Sequence, residues 1–232
     1  MTHLHPGYDR SALAGIDVIA CGTNPAPRYA NRYDPSGKRT QLILAEGSPL
    51  DADWAAVPAM DAHLVAPAYH ELAAIPPVRA RVTAVALQGP LRAAADGRVI
   101  PHPDPIAQVA PFIAPGVLAF LSDEDTAEPT EVARYLAAAG MTVLLTLGYR
   151  GALMFEAGRQ TAFEALPANP IEPTGAGDCF ATAFVVRYAE TGDLHEACQF
   201  ALAAGALAVE GAGMAGVPSR AAIEARLRKV AA

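Results

Sequence analysis

The stretch that decides the fold is Ile171-Glu172-Pro173-Thr174-Gly175-Ala176-Gly177-Asp178-Cys179-Phe180, which joins a turn to the start of a helix. Pro173 has a fixed φ and favours an extended conformation in the residue before it, so the chain enters the glycine-rich turn from a strand or loop. Over residues 175–189 the apolar side chains follow a 3.6-residue repeat, and Thr191-Gly192 provides a stop signal. The stretch therefore predicts a helix that begins at about Gly175.

The start of this helix has the features of an anion site. Gly175 and Gly177 lack a Cβ atom, so a ligand can approach the first-turn N–H groups, which have no partner within the helix. Asp178 is an unusual neighbour for an anion site. Taken alone, it has a second interpretation, in which it only complements the positive end of the helix dipole, an effect of about 0.3–1 kcal/mol.

The longer string T-G-A-G-D-C-F-A-x-A-F, residues 174–184, resembles the C-terminal signature of the ribokinase or PfkB family of small-molecule kinases. The resemblance implies that Asp178 is the base that takes a proton from the acceptor hydroxyl. It also implies that the amides of Gly175, Ala176 and Gly177 stabilise the transferring phosphoryl group, with Thr174 beside the donor. Phosphoryl transfer requires mainly positioning and electrostatic stabilisation, which a helix N-terminus provides. Glu172 departs from the family, whose members usually have Asp there.

Composition excludes several classes of function. The chain has 232 residues and a net charge of −7, and only two of its 17 basic residues are lysines, so a nucleic-acid surface is not expected. The first ten residues contain no apolar h-region and no stretch is apolar enough to span a membrane, so we expect a cytoplasmic protein without membrane contact. Cys21, Cys179 and Cys198 lack metal-binding spacing and are expected to be reduced, buried thiols. His3 and His5 are not expected to bind metal.

The remaining chain predicts an α/β fold. After a strand candidate at residues 16–21 and a Pro-rich bend, residues 28–33 and 40–44 predict a β-hairpin around a turn at 34–37. Apolar segments at 63–66, 82–87, 117–121 and 143–147 then alternate with helix-length spacers, as in a mostly parallel sheet covered on both faces. With the family resemblance this implies a ribokinase-like three-layer α/β/α fold with a small β lid. Residues 1–46 would form the lid-like segment and residues 47–232 the core.

Several candidate site residues follow from the same resemblance. A string like N-R-Y-x-x-x-G-x-R lies in the lid strands of the family, which places Asn31 near the acceptor, although a solvated hairpin without a ligand fits equally well. The string Q-G-x-L-R resembles a turn that faces the active-site cleft in one branch of the family. It makes Gln88 and Arg92 substrate contacts, whereas a lone Arg after a strand is also typical of a solvated charge.

The residues that bind the phosphate donor and the metal are expected in the loops that follow the next two strands. Ser122 and Asp125 resemble a shortened form of the N-x-x-E element that orders magnesium through water, and oxygen ligands suit that ion. The acidic run from 123 to 125 could equally be helix N-terminal charge. Thr146, Gly148 and Gly151 resemble the T-x-G-x-x-G nucleotide segment, ahead of a hairpin predicted at 153–163.

The literal match G-x-G-x-x-G at residues 211–216 follows a helix and not a strand, which argues against a dinucleotide site. The family resemblance instead places Gly211 and Gly213 near the adenine. A Walker A loop is excluded because the sequence around Lys38 lacks its spacing. Helices are predicted at about 129–139 and 193–209, and a last one after Ser219, its natural N-cap.

Full-length family members begin with a strand and a Gly-Gly-containing helix segment that have no counterpart in this sequence. Their absence leaves an apolar strand that needs cover from residues before Asn31 or from another chain. The leading hypothesis is a shortened kinase that uses ATP and Mg²⁺ to phosphorylate a sugar, inositol or similar polyol. The alternative is a catalytically impaired, nucleotide-binding relic with a regulatory or assembly role. A possible partner besides the acceptor is a second copy, bound through the N-terminal β segment.

Overall fold

The computed structural model describes residues 1–2, 7–8, 10–19, 21, 26–33 and 39–230. These residues form two sheets and a set of helices. In chain order the strands are β1 Arg28–Tyr33, β2 Arg39–Ala45, β3 Met60–Val65, β4 Ala80–Ala86, β5 Arg92–Ala95, β6 Arg98–Pro101, β7 Leu118–Ser122, β8 Thr142–Thr146, β9 Ala152–Glu156 and β10 Arg159–Phe163. The α-helices are α1 Pro105–Val109, α2 Pro129–Ala138, α3 Ala176–Thr191, α4 Leu194–Ala208 and α5 Arg220–Val230.

The main sheet has six strands in the order β10-β9-β8-β7-β4-β3. Strands β3, β4, β7 and β8 run parallel to one another, and β9 and β10 add an antiparallel hairpin. The four strands predicted in the core and the hairpin after them are thus confirmed, with ends shifted by a few residues. They could be predicted because strands buried on both faces are apolar at nearly every position.

Both faces of the main sheet are covered. Val85, Val143 and Phe155 pack on one face in a cluster that includes Val132 and Leu136 of α2. On the other face, β-strand residues pack against α3 and α4 in a second cluster (Val82, Leu118, Phe120, Leu144, Met154, Phe180, Phe184, Ala201). The predicted three-layer α/β/α arrangement is therefore confirmed.

The second sheet has four antiparallel strands in the order β1-β2-β6-β5. The hairpin β1–β2 was predicted, but the hairpin β5–β6 was not, and it joins β2 where Ile43 N donates to Gly97 O at 3.0 Å. We call this four-stranded sheet the lid. The division of the chain at residue 46 into lid-like segment and core stays a prediction, since the lid also takes strands from residues 92–101.

The strand expected at residues 16–21 is wrong. Ile16 and Ile19 are 62% and 51% exposed, so no packed apolar face holds this segment extended. Its described residues form an isolated bridge, in which Thr2 N donates to Ile19 O and Cys21 N donates to Thr2 O. His3, His5, half of the Pro-rich bend (residues 24 and 25) and the turn at 34–37 lie outside the described residues.

The helices agree with the sequence prediction. Gly192, in the left-handed conformation, ends α3, and Asp193 caps α4 by accepting from Glu196 N at 3.0 Å. Ser219 Oγ accepts from Ala222 N at 3.3 Å at the start of α5, whose Ile223 is buried. Between β6 and β7 the chain forms α1 and a short 3₁₀ turn, Ala110–Phe112. Among the described helices, none has the length and apolar character needed to cross a membrane.

Candidate active site

The predicted site residues meet at one edge of the main sheet. Because β4, β7 and β8 are parallel, their carboxyl ends lie side by side, and ligands of such sheets bind beyond these ends. Gln88 follows β4, Asp125 follows β7 and Gly148 follows β8. Three separate predictions of site residues therefore fall on neighbouring loops.

The N-terminus of α3 is open to solvent. Gly175 is the N-cap residue with φ 84°, and no side chain caps the helix there. A Cβ atom built on Gly175 or Gly177 would meet no heavy atom within 4 Å, so the glycine turn is not filled by packed side chains. Ala176 N donates to Pro173 O at 3.2 Å, which engages one of the three amides expected to bind an anion. The turn can still admit a ligand to its surface.

Asp178 lies in the first turn of α3 and is exposed. The surrounding protein partly desolvates its carboxylate and so raises the pKa of Asp178, while the positive charge of Arg92 acts in the opposite direction. Burial also raises the pKa of the neighbouring Cys179 thiol, and the charge of Asp178 adds to that effect. The three cysteines are free thiols, as expected, although Cys179 is only half-buried.

Arg92 connects the site to the lid. Its guanidinium lies over the ring of Tyr29 on β1, 5.5 Å from the ring centroid. The Tyr29 hydroxyl accepts a hydrogen bond from Tyr69 N at 3.1 Å, in the loop that follows β3. Tyr29 and Tyr69 were not singled out from the sequence, because their contact spans 40 residues and leaves no local pattern.

Asn31 lies two residues after Tyr29 on the same strand, so both side chains are on the same face of the lid. Its side chain is exposed, and its Oδ1 accepts a hydrogen bond from Gln41 Nε2 at 3.0 Å across the hairpin. Asn31 therefore lies on the face that meets Arg92, but its amide oxygen already has a partner within the lid.

Asp125 is buried, with 7% of its surface exposed. It accepts hydrogen bonds from Ser122 N at 2.7 Å and from the Gln88 side chain. Burial raises the pKa of Asp125, while these hydrogen bonds and the charge of Arg92 lower it. The structure thus brings together Gln88, Arg92 and Asp125, as well as Asp178.

These residues do not form a protein-ligated metal site. No group of three or more His, Cys, Asp or Glu side chains that could hold a metal ion occurs in the described part of the chain. Asp125 is occupied by its own turn, and Asp123 forms an ion pair with Arg150. Direct ligation by Ser122 and Asp125 does not fit this arrangement, and their contact with magnesium through water stays a prediction.

The two glycines of the predicted nucleotide segment differ in the space around their Cα atoms. A Cβ atom on Gly148 would meet nothing within 4 Å, so this glycine leaves open space. A Cβ atom on Gly151, with φ 95°, would lie 1.9 Å from Phe163 O, so glycine is required there by the backbone of the hairpin. Thr146 Oγ1 donates to Leu121 O at 3.4 Å between neighbouring strands.

The loop at 211–216 is held against the glycine turn by Glu172. Glu172 Oε2 accepts from Gly213 N at 3.0 Å, and the backbone N–H groups of Ile171 and Glu172 both donate to Val209 O. Within the loop, a Cβ atom on Gly211 would lie 2.5 Å from Gly216 Cα. Glu172 was noted in the sequence only as a departure from the family, and its role as a brace requires the fold.

A surface concavity of about 650 Å³ lies beside this loop and not at Asp178. It is open and polar, and its lining residues are Asn169, Pro170, Ile171, Glu210 and Arg226. Glu210 is largely engaged there, since it accepts from Asn169 N and pairs with Arg226. The catalytic candidates instead lie on an open surface between the lid and the core.

Comparison with known proteins is consistent with this geometry. Residues 117–220 match the model of the pfkB family carbohydrate kinases. The chain is also 34% identical over 83 residues to ribokinase of Bacillus subtilis strain 168, a match that covers 35% of this chain and 28% of that protein. The aligned region thus spans less than a third of the curated relative.

Solved structures show the same fold. Ribokinase from Thermotoga maritima superposes with a TM-score of 0.64 at 19% identity, over 89% of this chain and 71% of that one. Ribokinase from Arabidopsis thaliana, solved with ribose and ATP, gives a TM-score of 0.60 at 19% identity, over 88% and 70%. Over residues 117–220, less than half of its length, the chain is thus similar to the pfkB family carbohydrate kinases, and over most of its length it has a ribokinase-like fold.

Proposed function

We propose that the protein is an ATP-dependent phosphotransferase that acts on an alcohol group of a sugar, inositol or similar polyol. The observation that carries the proposal is the start of α3, where the exposed Asp178 stands beside a glycine turn that no side chain fills. This arrangement offers an anion site and a proton acceptor at one place. The relatives are named as ribokinases, which supports a sugar-like acceptor.

In the proposed reaction Asp178 accepts the proton of the acceptor hydroxyl as its oxygen attacks the γ-phosphorus of ATP. The bond from that phosphorus to the β–γ bridging oxygen breaks, and ADP leaves. First-turn N–H groups of α3, from Gly175 to Gly177, stabilise the charge on the transferring group without reorganising. A Cβ atom at Gly175 or Gly177 would occupy the space this group needs.

The other predicted residues are assigned to the two substrates. We assign the acceptor side to Arg92, Gln88 and Asn31, since Arg92 and Asn31 lie on the lid and Gln88 lies in the loop that leads to it. The donor side is assigned to residues around the glycine turn and the loop that Glu172 braces (Thr146, Gly148, Thr174, Gly211 and Gly213). Gly151 supports this side through the backbone, given its contact with Phe163 O.

No step of this reaction is assigned to magnesium, since the described residues contain no group of three or more His, Cys, Asp or Glu side chains that could hold a metal ion. Magnesium generally keeps several waters and binds through few carboxylates together with substrate phosphates. Any dependence of the reaction on magnesium is therefore expected to come from the complex of the protein with its nucleotide. It is tested by adding Mg²⁺ and removing it with a chelator in the assay below.

The first prediction tests Asp178 directly. Sugars, inositols and nucleosides are screened for acceptor-dependent consumption of ATP, and Asp178→Asn is measured beside the parent with the best acceptor. Because the amide cannot take the proton, kcat should fall at least ~10²-fold. ATP affinity and the circular dichroism spectrum should not change. Equal rates for the two proteins would refute the mechanism.

A second candidate function is favoured by one specific observation. The Asp125 carboxylate is buried and bonded to its own turn, so one acid expected beside the donor is not directed at a ligand. In this alternative the protein binds nucleotide but transfers its phosphoryl group only slowly. Its role is then in regulation or assembly. ATP binding by calorimetry without turnover of any acceptor would support this alternative over the first.

A further inference from the structure

Arg92 lies between the lid and the core without an acidic partner. Its side chain is only partly exposed, at the start of β5. Arg187 and Arg226 are also only partly exposed, and each of them pairs with a glutamate. Among the described residues, no acidic oxygen lies within 4.0 Å of an Arg92 nitrogen, and none accepts a hydrogen bond from its guanidinium. Charges taken out of water are normally paired, so the N–H groups of Arg92 are available to a ligand.

Aromatic side chains fix the orientation of this guanidinium. It lies over the Tyr29 ring, 5.5 Å from the ring centroid, and the Tyr29 hydroxyl accepts a hydrogen bond from Tyr69 N. Tyr69 is buried, and its own hydroxyl oxygen accepts from the backbone N–H of Ala94 on β5. A planar guanidinium that stacks on an aromatic ring presents its N–H groups as a fork, which suits two oxygens of one anion. The fold thus holds Arg92 in a geometry that suits an oxyanion.

The position of Arg92 relative to Asp178 fits a bound acceptor. The charge of Arg92 acts on the carboxyl groups of Asp178 and Asp125, yet Arg92 pairs with neither. Asp125 is instead bonded to Ser122 N and to the Gln88 side chain. The proposed base and the unpaired cation are therefore neighbours whose charged atoms lie more than 4.0 Å apart. A small molecule that lies between them can contact both groups.

We propose that the acceptor carries an oxyanion, either a carboxylate or a phosphate ester, besides the hydroxyl that is phosphorylated, and that Arg92 binds this oxyanion. The inference rests on the proposed function. The acceptor is favoured over the donor because the amides at the start of α3 are already assigned to the transferring phosphoryl group, whereas Arg92 belongs to the lid. Without Arg92, the charge of the Asp178 carboxylate would repel an anionic acceptor. One residue therefore decides whether this surface admits a charged acceptor.

The test compares acceptors that differ by one charged group. Each neutral sugar or inositol of the acceptor screen is paired with its acid or phosphate ester, such as glucose with glucuronate and inositol with inositol monophosphate. All are assayed at one pH, so that any change in the ionisation of Asp178 affects both members of a pair alike. For the parent, kcat/KM should be at least about tenfold higher with the charged member of the best pair. Arg92→Gln should remove or reverse this preference, and Arg92→Lys, which keeps the charge, should retain part of it.

Arg98→Gln is the matched control. Arg98 is exposed and begins β6, at the turn end of the same hairpin, so its loss removes an equal charge from the lid and should leave the preference unchanged. If the neutral member of the best pair reacts as fast as the charged one, the inference is overturned and the proposed function stands. This comparison needs only the parent protein, so it holds even if a variant fails to fold. An unreduced preference in Arg92→Gln would also overturn the inference.

Binding measurements separate this inference from the proposed function, because they do not require turnover. In calorimetric titration of the full chain with the same pairs, a charged compound should bind at least about tenfold more tightly than its neutral partner, and Arg92→Gln should abolish the difference. If this difference is found while no compound is phosphorylated, the proposed function fails and the assignment of an anionic ligand to Arg92 is retained. If Arg92→Gln weakens the binding of ATP and not that of the charged compounds, Arg92 serves the donor and the inference is wrong.

Discussion

Arg92 sets the charge balance of the candidate site at the level of single residues. It is the cation that lowers the pKa of both Asp178 and Asp125, while burial raises the pKa of both carboxyl groups. Its side chain is held in place by the face of Tyr29. The ionisation of Asp178, the proposed base, therefore depends on a neighbouring charge that belongs to the lid.

The prediction for Arg92→Gln concerns pH. Loss of the guanidinium removes an interaction that favours the ionised carboxylate, so the pKa of Asp178 should rise further. The acidic limb of the kcat/KM profile, along which activity falls as Asp178 becomes protonated, should then move to higher pH. A pH profile of kcat/KM for the parent and the variant checks this.

Arg92→Lys is the matched control, because it retains the charge and should keep the limb close to that of the parent. It tests charge separately from shape, since the planar guanidinium stacks on aromatic rings better than an ammonium group does. An acidic limb that does not move in Arg92→Gln would mean that another group controls the profile.

At this scale the sequence indicated which residue types matter but not all of their contacts. Asp178 could be identified because its motif is continuous over residues 174–184. The bond from Tyr69 N to the Tyr29 hydroxyl joins residues 40 positions apart, and the bond from Gly213 N to Glu172 joins residues 41 positions apart. Such pairs have no local spacing that could be recognised, so only the folded chain reveals them.

At the scale of elements, the start of α3 contains a glycine, Gly177, that the stability of the helix does not require. Gly177 has ordinary helical backbone angles and open space around it, so a methyl group there meets no steric barrier. Glycine is a poor helix former, and replacing it with alanine in a compatible helix position generally stabilises a protein by about 0.4–1 kcal/mol. The presence of glycine is best explained by access of a ligand to the backbone.

We therefore predict that Gly177→Ala stabilises the protein and reduces its activity. The free energy of unfolding, from urea titration, should rise by about 0.4–1 kcal/mol. Turnover with ATP and the chosen acceptor should fall at least about tenfold, because the methyl group stands where the transferring phosphoryl group is proposed to lie.

Gly205→Ala provides the comparison for this prediction. Gly205 lies inside α4, where a Cβ atom would make ordinary contacts at 3.9 Å or more with Ala176 O and Phe180. It should give a similar gain in stability and leave turnover unchanged. If Gly177→Ala keeps full activity, the glycine turn does not bind the donor.

At the scale of the whole molecule, the lid joins two hairpins from distant parts of the chain. Strand β2 pairs with β6, so residues 39–45 and 98–101 form one sheet above the core. All six strands of the main sheet come after residue 59, and so do α1 to α5. The core can therefore keep its architecture without the N-terminal hairpin, while the surface above Asp178 cannot.

Removal of residues 1–46 is predicted to separate phosphoryl transfer from hydrolysis. The shortened protein should keep the circular dichroism signal of the α/β core. Transfer to the acceptor should fall at least about tenfold, since the residues that position the acceptor are partly lost and water reaches the site. Hydrolysis of ATP without acceptor should persist or rise. Separate assays of phosphorylated acceptor and free phosphate distinguish the two reactions.

Removal of residues 1–26 is the corresponding control, because it leaves β1 and β2 intact. This variant should retain transfer at the level of the parent. Loss of transfer in both variants would assign the effect to the segment before the lid, and undiminished transfer in the protein lacking residues 1–46 would show that the lid does not serve the acceptor.

The sequence by itself determined the glycine turn and helix around Asp178, the apolar strands of the sheet and the capped helices that cover it, because each depends on neighbours within a few residues. The tertiary structure alone decided that residues 92–101 complete the lid, that Arg92 rests on Tyr29, and that Asp125 is buried in its own turn. These features depend on contacts between residues far apart in the chain, whose geometry no local pattern of residues specifies.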